Sequence, residues 1–261
     1  MRRAFLVVTL AVAAIPSSNA ARLGGTPVAL VTAETRNELV AVELPSGRIL
    51  GRLHVPADPQ NVVTTNQLAV VVSTRAGAVT LVDPTPLRIV RVFRGFAAPH
   101  MPAVSSDGRF AYVTDDARGQ LVTIDLHRRR ITSSVFVGLG AHHLAFRPRH
   151  HELWIVLGER ARSIRIVDTT NPAHPRPRGS FSPAGGLMHD LAFPAGGRRV
   201  WIAYDDQPTV AVFDAQTKRR LLTLPAGTPP QHVAVRRYVY VTSGNDGSVR
   251  IFSVGGRLLG L

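Results

Sequence analysis

One pattern recurs six times along this chain, and this repeat limits the fold more than any other feature. Each copy has an alternating apolar segment, a polar turn, a second alternating segment and, in five copies, a closing acid. The residues that close the copies are Glu43, Asp83, Asp125, Asp168, Asp214 and Ser253, spaced 40, 42, 43, 46 and 39 residues apart. A period of about 20–50 residues indicates a repeat architecture such as a solenoid or a propeller.

Each copy predicts a β-hairpin, because apolar residues alternate with a period of two and Gly, Asn and Asp stand at the turns. Short apolar segments before and after the hairpins bring most repeats to four strands. Four strands in about 42 residues predict an all-β fold, a β-propeller of four-stranded blades. The predicted blades form a single domain of residues 21–261 and cover residues 27–58, 59–98, 99–140, 141–187, 188–229 and 230–261.

The two ends of the repeat array predict incomplete closure. The first copy begins at its second strand, because Arg22–Thr26 is too short and polar for an innermost strand. After the sixth hairpin only Gly255–Leu261 remains, enough for one outer strand. Two arrangements fit: a C-terminally incomplete seven-bladed ring, which we favour, or an open six-bladed ring.

The second strands carry a family resemblance. Tyr112-Val113-Thr114-Asp115 and Tyr240-Val241-Thr242-Ser243 are similar to the signature of YVTN-repeat (YncE-like) β-propellers, and a Ser106-Asp107-Gly108-Arg109 turn precedes the first of them. The resemblance covers almost the whole chain after residue 20. It implies an extracytoplasmic, WD40-like propeller that binds something, and it implies no one reaction, because propellers host many activities.

The first twenty residues are typical of a secretory signal. Arg2 and Arg3 precede the apolar segment Ala4–Ile15, and small residues at Ser18 and Ala20 fit a cleavage site after Ala20. The apolar segment is shorter than the roughly 20 residues that a membrane-spanning helix needs. We therefore expect an extracytoplasmic protein (secreted, periplasmic or in the cell envelope) with no integral membrane span after cleavage. The Arg pair leaves Sec and twin-arginine export both open.

Composition excludes several kinds of chemistry. The chain has no Cys, which excludes disulfides, thiolate nucleophiles, zinc–thiolate sites and iron–sulfur clusters. No nucleophile elbow, P-loop, HExxH or EF-hand motif is present. The formal net charge is +14, and Lys218 is the only lysine among 31 basic residues. This charge favours weak binding to anionic polymers or nucleic acid without defining a site.

Alignment of the blades at the start of the innermost strand gives the most informative signal for function. Five of the ten His fall at these paired positions, which lie at the mouth of the predicted central channel. The pairs are Gln60-Asn61, His100-Met101, His142-His143, His189-Asp190 and Gln231-His232. Strand alternation places the hairpin turns on the same face, so Asp116 and Asp205 join this group. The candidate ligand-binding residues are Gln60, His100, His142, His143, His189, Asp190, Gln231, His232, Asp116 and Asp205.

Three interpretations of this group remain open. In the structural one, each His bonds a hairpin acid of its own blade and satisfies buried polar groups. This interpretation would pair His100 with Asp115 or Asp116, and His189 with Asp205 or Asp206. In the second, His100, His142 and His189 converge on a Zn, Cu or Fe ion, with Asp190 and Asp116 orienting the rings. In the third, the group binds a ligand without a metal.

The sequence thus favours an exported binding or scaffold module that takes an unknown small ligand or protein partner at the channel mouth. The alternative is an enzyme with its site in the same funnel. Its activity would be that of a lactonase-like hydrolase or of a metal- or haem-dependent oxidoreductase.

Overall fold

The computed structural model describes residues 26–158 and 162–261. The predicted signal peptide, residues 1–20, lies outside the described residues. Within the described residues no helix is long and apolar enough to cross a membrane.

Within residues 26–158 and 162–261, six antiparallel sheets follow one another in sequence, and neighbouring strands of each sheet are consecutive. The strands of the first three sheets are β1 Val28–Ala33, β2 Glu38–Glu43 and β3 Ile49–His54; β4 Pro59–Thr64, β5 Ala69–Ser73, β6 Ala78–Pro84 and β7 Leu87–Arg94; and β8 Pro99–Val104, β9 Phe110–Asp115, β10 Gln120–Asp125 and β11 Arg130–Phe136. A 3₁₀ turn at Glu34–Arg36 joins β1 to β2.

The last three sheets have four strands each. Their strands are β12 Leu144–Arg147, β13 Glu152–Val156, β14 Ile164–Asp168 and β15 Arg176–Phe181; β16 Met188–Ala192, β17 Arg199–Tyr204, β18 Thr209–Asp214 and β19 Arg220–Pro225; and β20 Pro230–Val235, β21 Val239–Ser243, β22 Val249–Phe252 and β23 Leu258–Gly260.

These sheets confirm the prediction of an all-β β-propeller fold. The first sheet has three strands, and β1 corresponds to the second strand of the later sheets, as predicted. The last sheet ends in the short outer strand β23, also as predicted. The incomplete seven-bladed ring stays a prediction.

Residue contacts divide the chain into two compact units. The first holds the described residues up to Val113 together with Asp125–Arg130, and the second holds Thr114–Ile124 and Ile131–Leu261. The dividing lines fall within strands of the third sheet. The prediction of a single domain over residues 21–261 stays a prediction.

The strands differ in burial in the way their sequences suggest. The second strand β5 is an unbroken apolar run closed by Ser73, and all five of its residues are buried. The fourth strand β7 carries Arg at three of its eight positions, and only one of its residues is buried. A strand with both faces covered reads as a continuous apolar run, whereas an outer strand keeps charged residues in water.

Large side chains from neighbouring sheets fill the space between those sheets. In the second unit, Trp154 of the fourth sheet shares a core cluster with Phe213 of the fifth, and Trp201 of the fifth shares another with Phe252 of the sixth. In the first unit, Leu39 of the first sheet packs in one cluster with Val71 of the second. Burial of each such side chain contributes about 1.5–3 kcal/mol, so the contact between adjacent sheets is a main source of stability.

The first strand of several sheets opens with an irregularity that positions the candidate site. Between β16 and β17, Met188 pairs with Tyr204 and Asp190 with Ala203, so His189 is an extra residue in the ladder. Gln60 is the extra residue between β4 and β5. A β-bulge of this kind bends the strand and changes the direction of a side chain. The bulges therefore occur at the paired positions that the repeat alignment had singled out.

Candidate functional site

The predicted site residues divide between the two units. Gln60 and His100 belong to the first unit. The other eight belong to the second unit: Asp116, His142, His143, His189, Asp190, Asp205, Gln231 and His232.

In the first unit the paired positions make structural hydrogen bonds. The Oε1 atom of Gln60 accepts a hydrogen bond from Thr74 Oγ1 at 3.0 Å. The buried Asn61 donates from Nδ2 to the carbonyl oxygen of His100 at 2.9 Å. The Asn61 contact links the second sheet to strand β8 and satisfies the buried amide of Asn61.

In the second unit four imidazole rings lie side by side. The ring centroids of His143 and His189 are 4.7 Å apart, and His232 lies 5.1 Å from each of them. The fourth ring, His142, lies 4.8 Å from His143 and 5.6 Å from His189. The start of the fourth sheet fixes two members of this cluster, because the N–H of His142 donates to Val156 O and the N–H of Val156 donates to His143 O.

Two half-exposed carboxylates orient two of the rings. Asp116 Oδ2 lies 3.0 Å from His142 Nδ1, and Asp205 Oδ2 lies 2.9 Å from His189 Nδ1. An ionised carboxylate only accepts hydrogen bonds, so each Nδ1 carries the proton. The lone pair of a neutral ring is then on Nε2, which is the atom that can accept a metal ion or a hydrogen bond.

Asp190 is the buried centre of the cluster. Its two carboxylate oxygens accept the N–H groups of Leu191 at 2.7 Å and Val233 at 2.9 Å. The same oxygens lie 3.3 Å from His143 Nδ1 and 3.8 Å from His232 Nδ1. Burial by itself would raise the pKa of Asp190, but attraction and hydrogen bonding from His143 and His232 hold that pKa well below its ordinary value.

His143 is fully buried and uncharged at neutral pH. Burial lowers its pKa to about 4, because the imidazolium form loses its hydration, and the nearby Asp190 only partly opposes this effect. A neutral imidazole is the form that binds a metal ion.

Three rings can reach one ion. His143, His189 and His232 each offer one ring nitrogen, and these nitrogens lie within 4.8 Å of one another. Three nitrogens at 2.0–2.1 Å from a tetrahedral ion would be ~3.4 Å apart. The ring nitrogens would therefore need to approach one another by at most ~1.4 Å to bind one ion.

This set differs from the metal triad predicted from the sequence, which was His100, His142 and His189. His189 is common to both sets, and His143 and His232 stand in place of the other two. The predicted triad stays a prediction, because His100 belongs to the first unit.

Two carboxylate–imidazole contacts of the cluster can be compared with the pairs predicted from the sequence. Of the two acids expected for His189, Asp205 makes the contact, within the fifth sheet. Asp116 instead bonds His142, which belongs to the sheet after its own hairpin. In-sheet register does not predict such a contact, because it depends on how adjacent sheets pack.

Sequence reasoning missed the threonines that anchor the paired positions. Thr32, Thr74 and Thr114 each donate from Oγ1 to a backbone carbonyl at the start of the following sheet, at 3.1, 2.7 and 2.7 Å. Thr114 holds the carbonyl of His142 in this way. The detectable signal was a Thr at or next to the end of the second strand in the first three repeats.

Comparisons with known proteins place this chain among β-propellers. Residues 63–159 match the family described as Cytochrome D1 heme domain, which is well under half of the chain. No curated protein matches.

Three solved structures share the fold at low sequence identity. The β-propeller domain of Cps50 (Swd1) from Myceliophteria thermophila is 16% identical, with 87% of this chain and 79% of that chain covered and a TM-score of 0.75. A putative 6-phosphogluconolactonase from Bacteroides uniformis is 14% identical, with 89% and 79% covered and a TM-score of 0.74. The dihydro-heme d1 dehydrogenase NirN in complex with DHE is 17% identical, with 97% and 57% covered and a TM-score of 0.70. Likeness at these identities defines the fold and leaves the function open.

Proposed function

We propose that this protein is an exported binding module that holds one transition-metal ion through His143, His189 and His232. The observation that carries the proposal is the convergence of three ring nitrogens within 4.8 Å. The neutral state of the buried His143 supports it, because a protonated ring cannot bind an ion.

The donor set selects the class of metal. Imidazole nitrogen suits Zn²⁺, Cu²⁺ and Fe²⁺, whereas Mg²⁺ and Ca²⁺ prefer oxygen ligands. The chain has no Cys, so soft thiolate sites are excluded. Among these three ions we expect Cu²⁺ to bind most tightly, following the usual order for divalent ions.

The carboxylates around the rings support the same function. Asp205 lies against Nδ1 of His189, and Asp190 faces Nδ1 of both His143 and His232. Carboxylates in this position fix the tautomer of a metal-binding His and raise its basicity. Three protein ligands leave a further coordination position for a small ligand.

The test is a titration of the full metal-free chain with Zn²⁺ and with Cu²⁺, followed by calorimetry and elemental analysis. We expect one equivalent to bind, His189→Ala and His232→Ala to abolish that binding, and Asp190→Asn to weaken it about 10–100-fold. His150→Ala, at an exposed turn, is the matched control and should bind normally. Binding that survives both cluster variants would refute the proposal.

A haem-dependent oxidoreductase is the second candidate, favoured by the match to the Cytochrome D1 heme domain family. The cluster in the second unit fits a haem poorly. Three of its rings have centroids 4.7–5.1 Å apart, too close for a macrocycle to lie between any two of them. Titration with haem separates the two candidates, because binding with a shifted visible band that is lost in His189→Ala would favour the oxidoreductase.

Export is the part of the proposal that rests on sequence alone. The basic pair, the apolar segment and the small residues before Ala21 support cleavage after Ala20. N-terminal sequencing of the protein from its native host should begin at Ala21.

A further inference from the structure

A cavity of about 500 Å³ lies in the first unit, and none of its lining residues belongs to the histidine cluster. Three turns form it: the turn that joins β4 to β5, the turn that joins β8 to β9 and the turn after β10. Its lining residues are Thr65, Gln67, Leu68, Asp107, Gly108, Arg109, Leu126, His127 and Arg128. This volume is within the range of small-molecule sites, roughly 300–1,000 Å³.

Two guanidinium groups of the cavity are fixed by one buried carboxylate. Asp125 is almost fully buried and accepts the backbone N–H of Arg128 at 2.8 Å and its Nη1 at 3.0 Å. Nη2 of Arg109 lies 3.6 Å from the same carboxylate. Both arginine side chains remain about half exposed, at 49% and 53%. Because a guanidinium has five N–H donors, each can also bind a ligand anion.

The remaining lining favours a ligand that carries hydroxyl groups as well as a negative charge. Asp107 and Gln67 are exposed polar side chains that can bond hydroxyls. Leu68 and the buried Leu126 supply apolar surface for a C–H face. This combination matches a sugar acid. The arginines can bind its charge, the polar side chains can bind its hydroxyls, and the leucines can pack against its ring.

The turns that carry these groups are well fixed. Thr65 Oγ1 accepts the backbone N–H groups of Gln67 and Leu68 at 3.2 and 2.9 Å. Asp107 accepts a hydrogen bond from Ser105 Oγ and one from the N–H of Arg109. Such preorganisation lowers the ordering cost of binding.

We propose that this cavity binds a saccharide that carries one carboxylate or phosphate group, with Arg109 and Arg128 holding the anion. The site is independent of the metal cluster, which belongs to the other unit.

The experiment is calorimetric titration of the full chain with glucuronate, glucose 6-phosphate, glucose and inorganic sulfate. We expect saturable binding of at least one of the two acidic sugars, with binding of glucose and of sulfate at least tenfold weaker. The tighter of the two acidic sugars identifies the anionic group. Equal binding of glucose and the acidic sugars, binding as strong with sulfate alone, or no saturable binding would overturn the proposal.

Variants then test the residues. Arg109→Gln and Arg128→Gln should each weaken the acidic sugar at least tenfold, and Gln67→Ala should weaken it by a smaller factor. Arg129→Gln is the matched control, because Arg129 is an exposed neighbour with the same charge outside the lining. Equal weakening by Arg129→Gln would show a response to charge alone and refute the site. Unchanged circular dichroism and Tm establish that the variants fold.

Discussion

At the scale of single residues, Lys218 is unusual as the only lysine of the chain. Its Nζ donates to the carbonyl of Ala215 at 2.6 Å and lies 3.8 Å from the centre of the Trp154 ring. Burial lowers the pKa of Lys218 to about 8, and the negative charge of Glu152 partly opposes the shift. This amine therefore loses its proton more easily than an ordinary lysine.

The lowered pKa gives a prediction with a defined sign. Between about pH 8 and 10.5 the unfolded chain binds this proton and the fold does not, so the free energy of unfolding from this group rises with pH. An NMR titration of the Lys218 side chain should give a midpoint near 8. Glu152→Gln should lower the midpoint further, and a wild-type midpoint near 10.5 would contradict the burial argument.

At the scale of strands and sheets, two buried threonines make opposite contributions. Thr114 in β9 donates from Oγ1 to the carbonyl of His142 in the next sheet at 2.7 Å. Thr80 in β6 is equally buried, but its hydroxyl has no hydrogen-bond partner among the described residues. A satisfied hydroxyl stabilises the fold, whereas an unsatisfied one only adds the cost of its lost hydration.

Substitution by valine tests this difference at nearly constant side-chain volume. Thr114→Val should lower the free energy of unfolding by about 1–3 kcal/mol, because the carbonyl of His142 loses a donor. Thr80→Val should be neutral or stabilising by up to ~1 kcal/mol. Urea unfolding measures the change in the free energy of unfolding of each variant. Equal destabilisation would show that the hydrogen bond between sheets is not the cause.

The same scale shows what the sequence could predict. The hairpins followed from alternating residues and turn chemistry, which are local. The three strands that the first sheet has among the described residues agree with the prediction from the short segment before β1. The contacts of Asp190 with residues of the sixth sheet could not be predicted from the sequence. Val233, whose N–H donates to Asp190, is 43 residues away in the chain. The bulge at His189 could not be predicted either, because the sequence of β16 shows the same alternating pattern with or without an extra residue.

At the scale of the whole molecule, the repeat explains why the histidine cluster matches no standard sequence motif. In the second unit, the fourth, fifth and sixth sheets each contribute one or two polar residues at the start of the first strand, and the residues that meet there are about 40 residues apart in sequence. A site assembled in this way shows no local signature. It becomes visible only when the repeats are aligned with one another.

The net charge of the whole chain gives the last prediction. With 30 Arg and one Lys against 17 acids, the protein should bind double-stranded DNA weakly and without sequence preference. Bound phosphates release counterions, so log K should fall linearly with log salt, with a slope near −0.9 for each phosphate neutralised. Fluorescence anisotropy between about 50 and 200 mM salt measures the slope. The double variant Arg109→Gln/Arg128→Gln removes two of 31 basic residues and should change DNA affinity only slightly, although it should abolish binding of the acidic sugar. Salt-insensitive DNA binding would instead indicate a defined nucleic-acid site and contradict the view that charge alone drives it.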